Sequence, residues 1–324
     1  MIVAFISIVL GGGAVIALAA WAGVAAIGDE VWKAGWVVAP AVALMLFQLW
    51  LSAAAWRISV GGGPRLTRYF RIRWMREAVN AMLPVGQLGG TFLGVRMLTQ
   101  RGVAGTTATA GTTLDITIEV VTQLIFTMAG FAALAAWGPA GAAGWAWWIM
   151  AFMGGCVGGF GVAPRAGLLR LVEALIRPLA RLFPGITVES IRGLHAELLR
   201  LHRDRRALLE AGTLHLAAWV LGVAETWVVL WAMGLGGGVA TALVIESLGM
   251  AVRSAGFIVP GALGVQEGGL VVVAGLYGIP ADAAIALSMV KRAREVVVGV
   301  AGLLMWQWSA GRRLLGSRAR SPTQ

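Results

Sequence analysis

Two glycine- and proline-rich interruptions decide the fold of this chain. Residues 73–90 read RWMREAVNAMLPVGQLGG, and residues 257–269 read FIVPGALGVQEGG. Proline removes a backbone donor and glycine frees φ, so each stretch predicts a break in a helix. Both breaks follow the order Pro, Gly, Gln, Gly-Gly, and both lie between apolar arms. The two interruptions are therefore similar to each other in sequence and are expected to have related roles.

The composition around these breaks is that of a membrane protein. The chain has 324 residues, of which 59% are hydrophobic and 13% charged, with a mean hydropathy of +0.82. Soluble domains carry about 25% charged residues, so this much apolar surface cannot all enter one water-soluble core. We predict an all-α polytopic membrane protein and exclude disordered and collagen-like chains. A disulfide scaffold is excluded because Cys156 is the single cysteine.

The apolar segments predict about six spanning helices. A crossing needs about 20 apolar residues, and the segments that meet or approach this length are 2–27, 34–56, 107–137, 145–162, 211–233 and 281–310. Segment 2–27 lacks a basic n-region and has too long an apolar stretch for a signal peptide. We therefore expect it to be a retained first helix.

The basic residues predict the orientation. The net charge is +11, and most basic residues fall in residues 57–76, 165–206 and 312–320. Lys and Arg accumulate in cytoplasmic loops, so we expect both termini to be cytoplasmic in a bacterial inner membrane. Segment 164–210 is then a cytoplasmic amphipathic segment and 311–324 a cytoplasmic tail of one membrane domain, 1–324. A nucleic-acid partner is not expected, because the basic sets adjoin apolar spans.

The two interrupted segments, 65–101 and 239–278, fit no simple crossing. Each has one apolar arm, the break, and a second arm too short to span. The orientation rule places both ends of the first segment inside and both ends of the second outside. We therefore predict two re-entrant hairpins entering from opposite faces, arranged as the inverted repeat of a transporter. The alternative is a pair of kinked helices with flexible glycine joints.

Ionisable residues lie where lipid is expected. Asp115 and Glu119 share one helical face with Thr112 and Thr122, and a charge at mid-membrane is kept only when it is paired or faces a polar cavity. We expect Arg253, Arg292 or Arg294 to pair with Asp115, Glu119, Glu267 or Glu295 around a central polar cavity. Two alternatives remain: the acids are solvated at the inner interface, or the last span breaks at Lys291. The apolar segments hold seven cations and seven acids: Arg73, Arg76, Arg96, Arg253, Lys291, Arg292, Arg294; Glu77, Asp115, Glu119, Glu225, Glu246, Glu267, Glu295.

These residues and the two breaks define a candidate transport site. Its members are Arg73, Arg76, Glu77, Asn80, Pro84, Gln87, Arg96, Asp115, Glu119, Arg253, Pro260, Gln266, Glu267, Lys291, Arg292, Arg294 and Glu295. No metal site or cofactor is expected, because the three histidines lack metal-ligand spacing such as HExxH. We expect His215, the one intramembrane histidine, to make a structural hydrogen bond. The absence of a GxxxxGK[ST] motif makes ATP hydrolysis by the chain unexpected.

Two stretches of the sequence resemble a known family. Residues 257–307, FIVPGALGVQEGG…GLYGIP…ALSMVKRAREVVVGVAGLLMWQ, closely resemble the hopanoid-biosynthesis-associated HpnL membrane proteins, and residues 73–96 are similar to that family's first signature. The wider superfamily includes the flippase portion of lysylphosphatidylglycerol synthases. The resemblance implies a flippase-like transporter for a hopanoid-related, polyprenyl or phospholipid cargo. It implies no aminoacyl-transferase activity, because no counterpart of that soluble domain is expected here.

Membrane lipids are therefore the expected partners, together with hopanoid-biosynthesis proteins. Two other functions remain open. Asp115, Glu119 and Glu267 would act as general acid and base in a lipid-modifying membrane enzyme, although no Ser or Cys nucleophile with a histidine is visible. The third possibility is a non-catalytic scaffold for hopanoid-biosynthesis enzymes.

Overall fold

The described part of the chain is helical throughout. The computed structural model describes residues 35–83, 86–139, 147–151, 153–155, 188–256 and 262–318, together with 29, 32 and 259. Its main elements are α1 (Val38–Ser59, after a 3-10 turn at Gly35–Val37), α2 (Leu66–Met82), α3 (Gly86–Thr99), α4 (Gly105–Trp137), α5 (Val188–Arg203), α6 (Arg205–Ala232), α7 (Val239–Ala255), α8 (Val265–Gly275) and α9 (Ala281–Arg318). The predicted helix 2–27, Pro84, Pro260 and most of segments 145–162 and 164–187 lie outside the described residues.

The helix lengths confirm a polytopic membrane protein. Within the described residues, three helical segments are long and apolar enough to cross a membrane: Gly35–Ser59, Gly105–Trp137 and Arg205–Ala232. They correspond to the predicted crossings 34–56, 107–137 and 211–233. The count of about six crossings stays a prediction, since segments 2–27 and 145–162 lie largely outside the described residues.

The last helix, α9, corrects one alternative. It runs unbroken from Ala281 to Arg318 and passes through Lys291 as regular helix. The interpretation of a break at Lys291 is therefore wrong. The helix also continues beyond residue 310, so the first residues of the predicted tail are helical.

The polar segment 164–210 divides at Asp204. Its described part contains α5, and Leu194, Leu198 and Leu201 of α5 pack against Ala110 and Leu114 of α4. Asp204 caps α6 by accepting a hydrogen bond from the Ala207 amide at 3.0 Å. The sequence predicts that residues 205–210 belong to the cytoplasmic amphipathic segment. In the structure they form the first turns of the long apolar helix α6.

A polar contact also fixes α5 to α4. Thr107 Oγ1 donates to Glu197 Oε1 at 3.0 Å, and Arg200 donates to both Glu197 oxygens at 2.8 Å. These donors lower the pKa of the Glu197 carboxyl, because they favour its charged form.

Both predicted interruptions separate two helices. The first separates α2, which ends at Met82, from α3, and the second separates α7, which ends at Ala255, from α8. Gly264 precedes α8 with φ +78°, a left-handed conformation that glycine adopts without steric cost. Its amide donates to Glu267 Oε2 at 2.8 Å and so satisfies a free donor at the start of α8.

Helices α1–α4 and α6–α9 follow one packing scheme. In the first set α2 packs on α1 and α3, and α3 packs on α4; in the second set α7 packs on α6 and α8, and α8 packs on α9. The sets join through α1 against α6, through α2 against α9, and through α7 against α4. The segments with similar breaks thus occupy equivalent places, each packed against the long final helix of the other set.

Glycines allow the two crosswise contacts to be close. A Cβ on Gly302 of α9 would lie 2.6 Å from the Ala78 Cβ of α2, and a Cβ on Gly130 of α4 would lie 1.8 Å from Ser247 Oγ of α7. The α2–α9 contact also includes a hydrogen bond from Trp74 Nε1 to the Val298 carbonyl at 2.8 Å. Close backbone approach through small residues is typical of membrane helix pairs.

Candidate functional site

One buried arginine of α2 contacts three carboxylates. Arg73 donates from Nη1 to Asp115 Oδ2 at 2.9 Å and from Nη2 to Glu119 Oε1 at 2.7 Å. Its Nε lies 3.0 Å from Glu77 Oε1. His215 of α6 places Nε2 3.0 Å from the other Asp115 oxygen. We call Arg73, Arg76, Glu77, Asp115, Glu119 and His215 the first charge cluster.

Local helix geometry builds this cluster. Arg73 and Glu77 on α2, and Asp115 and Glu119 on α4, are each separated by four residues, so each pair lies on one helix face. Trp56 of α1 holds α4 in place by donating from Nε1 to Thr112 Oγ1 at 3.0 Å. Four helices, α1, α2, α4 and α6, therefore meet around the cluster.

Arg76 is the least satisfied member of the first charge cluster. It is only 4% exposed, and its Nε and Nη1 make no hydrogen bond to any described residue. The nearest carboxylate oxygens are those of Asp115 at 3.7 Å and Glu77 at 3.8 Å. The guanidinium carbon lies 5.6 Å from the centre of the Trp56 ring, a cation–π position. Arg76 thus keeps buried donors available for another group.

The second charge cluster surrounds the middle of α9 and pairs four cations with four carboxylates. Lys291 Nζ donates to Glu246 Oε2 at 2.6 Å, and Arg292 Nε to Glu267 Oε1 at 2.5 Å. The other two pairs are Arg294 with Glu225, at 2.7 Å, and Arg253 with Glu295. These eight residues define the second charge cluster.

The helical spacing on α9 explains why these partners come from three helices. Lys291 and Glu295 are one turn apart and both face α7, which carries Glu246 and Arg253. Successive residues rotate around a helix by about 100°. Arg292 therefore points to Glu267 on α8, and Arg294 to Glu225 on α6.

Neutral polar groups complete the second charge cluster. Gln266 accepts from Arg253 Nη1 at 2.9 Å and donates to Ser288 Oγ at 3.1 Å. Ser288 in turn donates to Glu267 Oε1 at 3.0 Å, and Thr226 donates to Glu246 Oε2 at 2.5 Å. Each carboxylate of α7 and α8 therefore receives a cation and a neutral donor.

The observed pairing confirms two predicted pairs, Arg253 with Glu295 and Arg292 with Glu267, and corrects the partners of the other two acids. Asp115 and Glu119 contact Arg73 of the first interrupted segment, not an arginine of the second segment or of α9. Among the described residues the charges form two packed clusters, and the single cavity between the hairpins stays a prediction. Two clefts, of about 200 and 280 Å³, lie beside Gly61 at the end of α1.

Five other predicted site residues are not assigned to either cluster. Asn80 joins the arms of the first segment by accepting from the Gly90 amide at 2.9 Å. Arg96 is exposed on α3 and belongs to neither cluster. Gln87 lies in α3, and its side chain, like Pro84 and Pro260, lies outside the described residues.

Three residues join the clusters although the sequence-based site omits them. Glu225 and Glu246 were recognised as intramembrane acids, and their isolation in apolar helices was the signal that could have placed them in the site. His215 was assigned a structural hydrogen bond, and the structure gives it a bond to a carboxylate that is 0% exposed.

A metal site at the first charge cluster conflicts with Arg73. Ligand atoms of Asp115, Glu119 and His215 lie within 4.8 Å of one another, a spacing that could hold a metal ion. Both carboxylates, however, already accept hydrogen bonds from Arg73. A metal ion there would lie next to a guanidinium, so we assign none.

Comparison with known proteins gives a family match over most of the chain. The family model described as "Lysylphosphatidylglycerol synthase TM region" matches residues 5–302. No curated protein and no solved structure matches the chain.

Proposed function

We propose that this chain, which belongs to the lysylphosphatidylglycerol synthase TM-region family, moves a lipid from one leaflet of the membrane to the other. The family and the apolar helices establish a membrane domain. Charges within such helices are costly and mark the routes of polar cargo. Two buried charge clusters, each beside an interrupted segment, support such a route. The equivalent packing of the interrupted segments is in keeping with a transporter built from a repeat.

Arg76 is the observation that carries the proposal. Its Nε and Nη1, which make no hydrogen bond to any described residue, lie buried beside Trp56, next to the break that follows α2. A guanidinium binds phosphate oxygens through paired N–H groups. A headgroup phosphate entering here would satisfy donors that the protein leaves free. The apolar tails would stay in lipid against the outer faces of the helices.

The cargo class follows from this chemistry. A phospholipid and a polyprenyl phosphate both combine apolar chains with a phosphate that Arg76 can bind. A hopanoid-related lipid with a polar headgroup is the third candidate, for which hydroxyl groups would accept from the same donors. Translocation measured in one assay with a labelled form of each of the three lipids identifies which of them is the cargo.

The test is lipid translocation in liposomes that contain only the purified chain. Fluorescent lipid in the outer leaflet is bleached by dithionite, and translocation exposes inner-leaflet lipid to bleaching. We expect Arg76→Gln to slow translocation about tenfold, because a hydrogen bond to a charged group contributes about 1.5–3 kcal/mol. The matched control is Arg206→Gln, whose side chain is exposed and pairs with Glu210 on the surface of α6.

Two results would contradict the proposal. One is bleaching that stops at the outer leaflet for all three lipids in folded, reconstituted protein. The other is chemical conversion of the labelled lipid, seen by thin-layer chromatography of the same liposomes, which would indicate a lipid-modifying enzyme. Equal rates for Arg76→Gln and wild type would remove Arg76 from the route.

A further inference from the structure

The charges of the two clusters do not balance in the same way. In the second charge cluster every carboxylate has its own cation. In the first charge cluster two guanidinium groups, Arg73 and Arg76, face the carboxylates of Glu77, Asp115 and Glu119. One negative charge is therefore in excess among the described residues. An uncompensated charge at this depth is costly, and one added proton would neutralise it.

His215 is placed to receive that proton. The side chain is 1% exposed and bonds to Asp115, which is 0% exposed. Imidazole is the side chain whose charge normally changes near neutral pH. With Asp115 ionised, Nε2–H of the neutral ring donates to Oδ1. A second proton, released as an O–H bond of a hydronium ion or of a protonated Glu119 carboxyl breaks, forms an N–H bond at Nδ1, and an imidazolium then lies beside the carboxylate.

A route for protons reaches this buried pair. The side chains of Glu77 and Glu119 are 32% and 26% exposed, whereas Asp115 and His215 are enclosed. Glu119 shares Arg73 with Asp115 and so lies between the exposed edge and the buried pair. Water that reaches Glu119 can therefore exchange protons with the interior of the first charge cluster.

The charged groups on the helices around His215 are accounted for. Facing it are Asp115 and Glu119 of α4, with Arg73, Arg76 and Glu77 of α2 behind them. Helix α1 packs along α6, and its charged residue, Arg57, donates to the Pro64 carbonyl. The charges of α7 and those in the middle of α9, including Glu246 and Lys291, are paired within the second charge cluster.

We infer that His215 and Asp115 form an exchangeable proton site through which lipid movement is coupled to a proton gradient. The inference rests on the proposed function for the coupling, but the proton site itself can be tested without transport. The ligand is a proton, delivered through Glu119 and held between α4 and α6. Binding it changes the first charge cluster from net negative to neutral.

The first test measures the charge of the imidazole directly. In purified protein with ¹⁵N-labelled histidine, the spectrum contains signals from His195, His202 and His215, and the spectrum of His215→Gln assigns the third. We expect the His215 ring signal to report both the neutral and the charged form when the pH is varied. A His215 signal that reports one form at every pH would overturn the inference, whatever the transport assay shows.

The second test measures coupling. In proteoliposomes with a one-unit pH gradient, one proton per lipid supports about a tenfold ratio of labelled lipid between the leaflets. We expect wild type and the matched control His202→Gln to build this ratio, and His215→Gln not to build it. Asp115→Asn provides a second variant with the same expected loss of coupling.

The outcomes separate the two proposals. If lipid movement in wild type were independent of the pH gradient, the coupling would be overturned and the proposed function would remain intact. If His215→Gln still built the lipid ratio in response to the pH gradient, the coupling proton would have to bind at another residue. Liposomes in which no lipid moves would contradict the proposed function, and the imidazole titration would then decide the proton site alone.

Discussion

At the scale of single residues, Arg73 neutralises a group of acids that no other described cation contacts as closely. Three carboxylates lie within 3.0 Å of its nitrogens. The neighbouring Arg76 remains at 3.7 Å or more from the same acids. A guanidinium suits this place because its donors point in several directions within one plane. Lysine, with one compact charge, could contact fewer of the three acids at once.

Replacing Arg73 is therefore expected to destabilise the protein. Arg73→Gln leaves Asp115 buried without its closest cation, and breaking a buried ion pair costs about 3–5 kcal/mol. The measurement is thermal unfolding in detergent, followed by tryptophan fluorescence. Arg71→Gln on the same helix is the control, because Arg71 is exposed. If both variants have the same melting temperature as wild type, Arg73 does not stabilise the first charge cluster.

At the scale of helices, the sequence identifies the charged residues better than their partners. An acid in an apolar helix is conspicuous, so Asp115, Glu119 and Glu267 could be selected without a structure. A helix sequence fixes the face on which a side chain lies but not which helix packs there. Asp115 therefore met Arg73 of α2, whereas the sequence had favoured an arginine of α7 or α9.

The helix boundaries likewise include some that the local sequence predicts and some that depend on tertiary contacts. Proline and glycine are local signals, and the breaks after α2 and α7 lie where they predict them. The continuity of α9 through Lys291 depends on partners supplied by α6, α7 and α8. Local polarity alone suggested a loop at that point as an alternative. Tertiary ion pairs keep the segment helical and buried.

The contact between α2 and α9 should be intolerant of added volume. In Gly302→Ala the new methyl group would lie 2.6 Å from the Ala78 Cβ and 2.9 Å from the Trp74 ring. Overpacking of this kind costs about 1–3 kcal/mol, and we expect a lower melting temperature. Gly212→Ala is the control, since its methyl would meet Thr122 at an ordinary 3.8 Å. Equal melting of the two variants would mean that α2 and α9 can move apart freely.

At the scale of the whole molecule, two four-helix sets share one packing scheme and differ in their charge. Both place an interrupted segment against the final helix of the other set. Yet the first charge cluster contains a histidine and the Arg76 guanidinium, two of whose nitrogens make no hydrogen bond to a described residue, whereas the second consists of four ion pairs. Equivalent positions in the architecture thus carry different chemistry.

The predicted orientation of the whole molecule has a direct test. In a Cys156→Ala background, a cysteine at Ser317 should resist a membrane-impermeant maleimide in intact cells, because the basic C-terminal residues favour the cytoplasm. A cysteine at Gly236, between α6 and α7, should react, and its added side chain has open space. Labelling at Ser317 with none at Gly236 would show that the orientation is reversed.

Helix α6 carries His215 at one charge cluster and Glu225 at the other, about 15 Å apart along its axis. A rigid helix that tilts or turns at one end also moves at the other end. A change at one charge cluster is therefore coupled to a change at the other. Linkage of this kind is reciprocal. Whatever factor a proton at His215 applies to the affinity of a headgroup at Arg76, that headgroup applies to the affinity of the proton. The affinity for the lipid, measured at two pH values, therefore also gives the proton affinity of the lipid-bound protein relative to that of the lipid-free protein.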